Sequence, residues 1–186
     1  MDEMNNLEME EFQPLERNLL KEIIIETLYQ TGIRRAELTG LLLKDVNVDA
    51  LEIRVTGKGN KQRIIPISEN LGADFIKYMD ARKPLKENEM YFFVTDKGKK
   101  VNDQFVYRTV NSYLSLVTSK KKKSPHILRH SFATHVLEHG AEISKVKMIM
   151  GHSSLASTQV YTGTNIEQLK KVFNNAHPRA IKKVDL

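Results

Sequence analysis

Six side chains in the sequence are of types that could carry out chemistry together. His126 and Arg129 are three residues apart and would share one face of a helix. Guanidinium and ammonium groups bind anions, imidazoles move protons, and a phenol can attack as a nucleophile. Taken singly, each also has a structural interpretation, such as a helix cap, a surface ion pair or a half-buried tyrosine. The six are Arg34, Lys58, His126, Arg129, His152 and Tyr161.

Other kinds of site are not indicated by the residue types. The absence of cysteine excludes thiolate catalysis and cysteine-ligated zinc. The chain has none of the glycine-rich motifs that bind ATP or NAD. The pairs His126/His130 and His135/His139 have the i, i+4 spacing of helical metal ligands, but no glutamate follows the first histidine and no carboxylate is placed as a third ligand. We therefore predict no metal and no cofactor.

The charge distribution favours a polyanionic partner. The 186 residues carry a formal charge of +6, but residues 1–16 hold six acids and no lysine or arginine, so residues 17–186 carry +12. Such a basic body is typical of nucleic-acid-binding proteins, the alternative being a solvated surface that keeps the protein soluble. No apolar run is long enough to span a membrane, and the start lacks a signal-peptide pattern. We predict a cytoplasmic protein.

Four motifs in order along the chain resemble the tyrosine recombinase (phage integrase) family, and within it the Xer-type bacterial members. The stretch from Gln168 to Arg179 is also similar to the tail of those members. The motifs are Thr31–Leu38 (TGIRRAEL), Gly57–Arg63 (GKGNKQR), His126–His135 (HILRHSFATH) and Met150–Thr162 (MGHSSLASTQVYT).

The resemblance implies that the six residues form one catalytic site, with Glu37 orienting Arg34. Tyr161 would attack a DNA phosphodiester, leaving a 3′-phosphotyrosyl bond and a free 5′-hydroxyl, and a second DNA end would reverse the step. Arg34 and Arg129 would bind the non-bridging oxygens, because the forked guanidinium group matches the geometry of those oxygens. His152 would donate one more hydrogen bond to the same oxygens. His126 would accept the tyrosine proton and Lys58 would protonate the leaving oxygen.

The elements that must position these residues are mostly helical. Periodicity and capping residues predict helices over 14–31, 34–43, 71–82, 102–117, 126–138, 143–150, 155–161 and 166–173. Alternation predicts a strand over 46–55, and a returning strand over 63–67 completes a hairpin with Lys58 at its tip. A short apolar strand is predicted over 91–94. We therefore expect a mostly helical α+β fold, that of the tyrosine recombinase catalytic domain, with a small antiparallel sheet made of this hairpin and a short third strand.

We expect residues 1–16 to be an acidic linker or disordered tail, 17–178 a catalytic domain and 179–186 a basic tail. The resemblance also implies a missing N-terminal DNA-binding domain, so the chain would be either a fragment of a longer recombinase, which we favour, or a short natural recombinase. The family's tetramer on DNA, homo- or heteromeric, implies that the segment from about Asn165 passes to a neighbouring subunit, with a monomer expected without DNA. Candidate contacts to double-stranded DNA are Lys61, Arg63, Lys97, Lys99, Lys100, Lys120, Lys121, Lys122 and Lys123.

Three other functions stay open at this point. A DNA-binding module without activity would have the same charge, and a type IB topoisomerase would have a similar site. A metal-dependent nuclease is disfavoured because the sequence lacks acidic clusters. The sequence contains no information about the DNA target or about whether the reaction is integration, excision or dimer resolution.

Overall fold

The computed structural model describes residues 18–119, 121, 123–151 and 163–177. Within them the fold is mostly helical with one small antiparallel sheet, as predicted. The helices are α1 (Leu19–Thr31), α2 (Arg35–Thr39), α3 (Glu69–Ala81), α4 (Asp103–Val117), α5 (Pro125–Glu138), α6 (Ile143–Met150) and α7 (Gly163–Ala176). The strands are β1 (Val46–Asn47), β2 (Glu52–Thr56) and β3 (Gln62–Pro66). No helix in the described part of the chain is long and apolar enough to cross a membrane.

Helices α1 and α6 end at the glycines that predicted their ends, whereas α1 begins at Leu19 and the predicted start at residue 14 lies outside the described residues. The side chain of Asn18 accepts a hydrogen bond from the Lys21 amide at the start of α1. Gly32 ends this helix in the left-handed conformation, and its N–H donates to the Leu28 carbonyl. Gly151 ends α6 in the same way, with φ of 66°. These two turns matter for function because the candidate arginines are anchored at both of them.

The third strand of the sheet is not the predicted one. The strand order is β1-β2-β3, with Val46 opposite Ile53 and Val55 opposite Arg63. The segment predicted as one strand over 46–55 is therefore two short strands, with a turn over 48–51 in which Leu51 has φ of 52°. The predicted strand over 91–94 contributes only isolated bridges, from Tyr91 to Leu42 and from Val94 to Lys100.

The predicted helix over 34–43 is also shorter than expected. Only Arg35–Thr39 is α-helical, and a separate 3₁₀ turn follows at Leu43–Asp45. Gly40 ends α2, and the chain then extends so that the Leu43 amide donates to the Met90 carbonyl. The apolar residues at 38, 41 and 42 therefore lie on a helix and on the extended chain that follows it, not on one continuous helix.

The core is built around α1, which packs against α3, α4 and α5. Ile24 and Leu28 on α1 and Phe132 on α5 are almost fully buried. A second group of aromatic rings lies between α3 and the 91–94 segment, with ring centroids 4.8 to 6.5 Å apart. It consists of Phe75, Tyr78, Phe92 and Phe93. The direct packing of α1 against α5 fixes the two helices relative to each other. Arg129 lies on α5, and Arg34 follows α1 by three residues.

Helix α7 is longer than predicted and packs on its own chain, against β3, α5 and α6. Leu169 and Phe173 are buried, and the Lys170 ammonium lies 3.2 Å from a Glu52 carboxylate oxygen. At the end of the helix the buried His177 ring stacks on Phe173 at 5.0 Å. The segment predicted to pass to a neighbour is thus held within one chain in this structure.

Replacing Gly32 with alanine is expected to destabilise the fold far more than the same change at Gly59. Both glycines have positive φ, 62° and 72°, so both variants incur the left-handed backbone cost. A Cβ at Gly32 would meet Phe132 ring carbons within 3.0 Å, whereas nothing lies within 4 Å at Gly59. We expect a loss of about 2–4 kcal/mol for Gly32→Ala and about 1 kcal/mol for Gly59→Ala. Chemical denaturation of both variants tests this, and equal losses would contradict it.

Candidate active site

Arg34 lies in the turn between α1 and α2 and is held by Glu37. Its amide donates to Glu37 Oε2 at 2.8 Å, and its Nη1 donates to Oε1 at 3.3 Å. The spacing of three residues produces this arrangement because Arg34 is the N-cap and Glu37 the third residue of the helix. The Arg34 side chain keeps 41% of its surface exposed, so its guanidinium group can still reach a ligand.

Arg129 on α5 is buried and bridges two turns of the backbone. One guanidinium nitrogen, Nη2, donates to the Met150 carbonyl at 2.6 Å, and Nη1 donates to the Gly32 carbonyl. Burial lowers the pKa of Arg129 to about 10, helped by the positive charges of Arg34 and Arg63 and opposed by the negative charge of Glu37. The group therefore remains a cation at neutral pH, in surroundings that disfavour the cation.

The two arginines meet at the turn that ends α6. Arg34 Nη2 donates to the Gly151 carbonyl at 3.5 Å, one residue beyond the Met150 carbonyl that Arg129 binds. The next residue in the chain is His152. Two side chains that are 95 residues apart in the sequence are thus brought to one short stretch of backbone.

The burial of Arg63 corrects one predicted DNA contact. Its guanidinium is bidentate to Glu37, with Nη1 to Oε1 at 2.6 Å and Nη2 to Oε2 at 2.8 Å. Its Nε donates to the Ile149 carbonyl at 2.6 Å, so all three nitrogens are bound inside the protein. Only 6% of the side chain is exposed, and Arg63 does not face solvent as a phosphate contact would.

Sequence reasoning missed this role although a signal for it exists. In β3, Arg63 is two residues before the buried Ile65 and lies opposite the buried Val55 on β2. Residues two apart on a strand point to the same face, so Arg63 faces the core side of the hairpin. A cation on that face requires a buried carboxylate partner, and Glu37 is that partner.

Positive charge in this cluster exceeds negative charge. Burial raises the pKa of Glu37, but the hydrogen bonds and charges of Arg63 and Arg34 outweigh burial and hold it below the usual 4.5. One carboxylate thus faces three guanidinium groups. Among the described residues, Arg34 and Arg63 both form their ion pair with Glu37. Arg129 forms no ion pair with a described acid. The excess positive charge makes the cluster suited to an anion.

The structure places the other two described candidates on the surface. Lys58 is exposed in the 3₁₀ turn Lys58–Asn60, which is the tip of the β2–β3 hairpin as predicted. His126 is exposed in the first turn of α5, one turn before Arg129. His152, Tyr161 and the predicted helix over 155–161 lie outside the described residues. The structure therefore brings Arg34 and Arg129 together and leaves their relation to His152 and Tyr161 as a prediction.

The lysines predicted to bind DNA have varied surroundings. Lys61, Lys97, Lys99 and Lys121 are exposed. Lys100 lies over the Tyr91 ring with its ammonium 4.2 Å from the centroid, and Lys123 donates to Ser115 Oγ at 3.2 Å. Lys120 and Lys122 lie outside the described residues. Within the residues the structure covers, no three or more histidine or acidic side chains form a group that could hold a metal ion.

Comparison with known proteins identifies the family. The model of the phage integrase family matches residues 3–168. The chain belongs to the phage integrase family. A family member named tyrosine recombinase XerC, from Pelobacter propionicus, is 39% identical over 163 residues, which cover 84% of this chain and 52% of the relative. The chain thus spans about half the length of this curated relative.

Solved structures of two recombinases share the fold. The match to the crystal structure of XerA recombinase covers 83% of this chain and 56% of the XerA chain, with 28% identity and a TM-score of 0.67. The match to a crystal structure of XerH site-specific recombinase bound to difH substrate covers 84% of this chain and 47% of the XerH chain, with a TM-score of 0.67. At 23% identity the XerH match is evidence of the fold alone.

Proposed function

We propose that this chain is the catalytic domain, over residues 17–178, of a site-specific tyrosine recombinase that breaks and rejoins DNA strands. The observation that carries the proposal is the convergence of Arg34 and Arg129 on the turn before His152, with positive charge that Glu37 does not balance. The similarity to XerC and XerA recombinases supports the same reaction.

The arginine cluster suits the transition state of phosphodiester cleavage. A phosphodiester is anionic and repels nucleophiles, and its non-bridging oxygens must be bound by fixed donors as phosphorus is attacked. Arg34 is half-exposed and held by Glu37, so it can donate to an oxygen without losing its orientation. Arg129 is fixed by two carbonyls and adds a second cation. His152 would supply a further hydrogen bond to the same oxygens.

The covalent step forms one bond and breaks one. The Tyr161 oxygen bonds to phosphorus while its proton passes to His126, and the bond from phosphorus to the 5′-oxygen breaks. That oxygen takes a proton from Lys58, whose place at the tip of a hairpin lets it approach the leaving group. A 5′-hydroxyl from a second strand then reverses the sequence. We propose that the reaction needs neither a metal ion nor ATP, since the bond energy is kept in the phosphotyrosine.

The proposed partners are double-stranded DNA and further recombinase subunits. The XerH structure contains a recombinase bound to its DNA substrate, and we expect the same class of substrate here. We propose a monomer without DNA and a tetramer on DNA, homo- or heteromeric, with α7 leaving its own chain to bind a neighbour. We also expect a cytoplasmic location, where the chromosome is accessible.

Two assays, adduct formation on nicked duplexes and relaxation of supercoiled plasmid, separate this function from its alternatives. The 186-residue chain is incubated in EDTA with a pool of nicked duplexes of random sequence. Cleavage near the nick releases a short strand that diffuses away, and because this strand can no longer be rejoined, the adduct accumulates. We expect a covalent protein–DNA species at high protein and DNA concentrations. Mass spectrometry should locate the attached DNA on the peptide that contains Tyr161. Cleavage only after Mg²⁺ is added would favour a nuclease, and DNA retention without an adduct would favour a binding module. Relaxation of supercoiled plasmid without exchange between duplexes would favour a topoisomerase.

A further inference from the structure

We propose that Arg63 is a positioning residue that sets the distance between Arg34 and the turn before His152. This inference rests on the proposed function and concerns the same site. Arg63 lies on β3, Glu37 on α2 and Ile149 on α6, and the Arg63 guanidinium is hydrogen-bonded to both of the others. No other residue of the described chain is hydrogen-bonded by its side chain to both Glu37 and the 149–151 backbone except Arg34 itself.

The contacts of Arg63 leave its guanidinium little freedom. Its two terminal nitrogens bind both oxygens of Glu37 in the parallel, bidentate geometry that fixes the relative angle of the two groups. A Cβ at Gly151 would meet this guanidinium at 2.9 Å, and one at Gly57 would meet Glu37 Oε1 at 3.1 Å. The backbone at Gly57 and at Gly151 thus lies close against the pair, one glycine beside Glu37 and the other beside Arg63.

Glu37 passes this constraint to Arg34. The same two carboxylate oxygens that bind Arg63 also accept the Arg34 amide at 2.8 Å and its Nη1 at 3.3 Å. Arg63 therefore acts on Arg34 through one shared carboxylate. It also holds the end of α6 through the Ile149 carbonyl, which accepts from Arg63 Nε. A lysine could neutralise Glu37 but could not bind both of its oxygens and the carbonyl in one plane.

Charge gives this arrangement a pH signature. The charged groups facing Glu37 are Arg34 on its own turn, Arg63 on β3 and Arg129 on α5. With Arg63 present the pKa of Glu37 lies below 4.5, so the carboxylate persists until the pH falls through that lowered value. Without Arg63, burial would raise the pKa of Glu37, and protonation would remove the acceptor of Arg34 at a higher pH.

The test measures the rate of adduct formation against pH, on nicked random duplexes, for wild type, Arg63→Gln and Arg63→Lys. A displacement of Arg34 of the order of 1 Å is expected to slow adduct formation about 100-fold in Arg63→Gln. The acidic limb of its profile should also move to higher pH. Arg63→Lys should be slow but keep the wild-type limb, because it retains the charge and loses the geometry. Arg54→Gln is the matched control, since Arg54 is an exposed arginine on the neighbouring strand, and it should behave as wild type.

A double variant and an activity-independent signal separate positioning from folding. In Arg63→Gln/Glu37→Gln no carboxyl group remains at position 37, so the shifted limb should vanish while the rate stays low. In DNA-free protein the carboxyl-carbon NMR signal of Glu37 should titrate at higher pH in Arg63→Gln, and the guanidinium signal of Arg34 should shift. Wild-type rates and an unmoved limb in Arg63→Gln, or an unchanged Arg34 signal, would overturn the proposal. If wild type forms no adduct, the proposed function fails and the two NMR signals still decide the role of Arg63.

Discussion

Tyr161→Phe is expected to abolish the covalent protein–DNA adduct while leaving DNA binding intact. The change removes a single oxygen, the atom that would bond to phosphorus, and keeps the ring. The cations that would bind the phosphate, Arg34 and Arg129, are untouched. We therefore expect no detectable adduct under conditions that trap the wild-type protein, with the fraction of DNA retained non-covalently unchanged. Denaturing gels measure the first quantity and native gels the second.

Tyr107→Phe is the matched control for this experiment. Tyr107 is an exposed tyrosine on α4 and is not one of the proposed catalytic residues. Its loss should leave adduct formation at the wild-type rate. An adduct that persists in Tyr161→Phe would show that another residue attacks the phosphodiester and would remove the basis for the proposed mechanism.

Local signals in the sequence predicted the parts of the fold that depend on neighbouring residues. The ends of α1 and α6 follow from Gly32 and Gly151, whose positive φ ends a helix within one residue. Arg34 and Glu37 are three residues apart, so their contact is also local. The grouping of Arg34 with Arg129 came from motifs found in family order, and the structure then supplied the contacts between them and the 149–151 turn.

Features that depend on long-range pairing were not predictable in the same way. The predicted strand over 91–94 is apolar because Phe92 and Phe93 pack in the core, not because it joins the sheet. The role of Arg63 depends on an acid 26 residues earlier, and charge alone suggested a solvent-exposed DNA contact.

The site combines a cost in stability with a benefit in function. Arg129 is a buried cation with a lowered pKa, paired with carbonyl dipoles and not with an acid. Such a charge disfavours the folded state, and a bound phosphate would relieve the cost. Glu37 offsets only part of the positive charge of Arg34 and Arg63. An additional acid here would stabilise the empty fold and compete with the phosphate for the same cations.

Arg129→Lys is expected to slow adduct formation about 100- to 1000-fold, the usual cost of losing one fixed donor to a developing charge. Lysine keeps the positive charge but has a single ammonium, which cannot bridge the Gly32 and Met150 carbonyls as the guanidinium does. Affinity for DNA should change by less than about threefold, because sequence-independent binding depends mainly on charge. Single-turnover adduct formation and fluorescence titration with duplex DNA measure the two effects.

Arg35→Lys distinguishes this effect from a general loss of arginine. Arg35 is adjacent to Arg34 in the sequence and, unlike Arg129, is half-exposed. Its Nε lies 3.2 Å from a carboxylate oxygen of Asp103 on α4. It binds no backbone of the 149–151 turn in the structure, so adduct formation in Arg35→Lys should match wild type. A comparable loss in both variants would mean that the rate follows overall arginine content or stability. A loss confined to Arg129→Lys assigns the rate to the fork that Arg129 holds between two turns of the backbone.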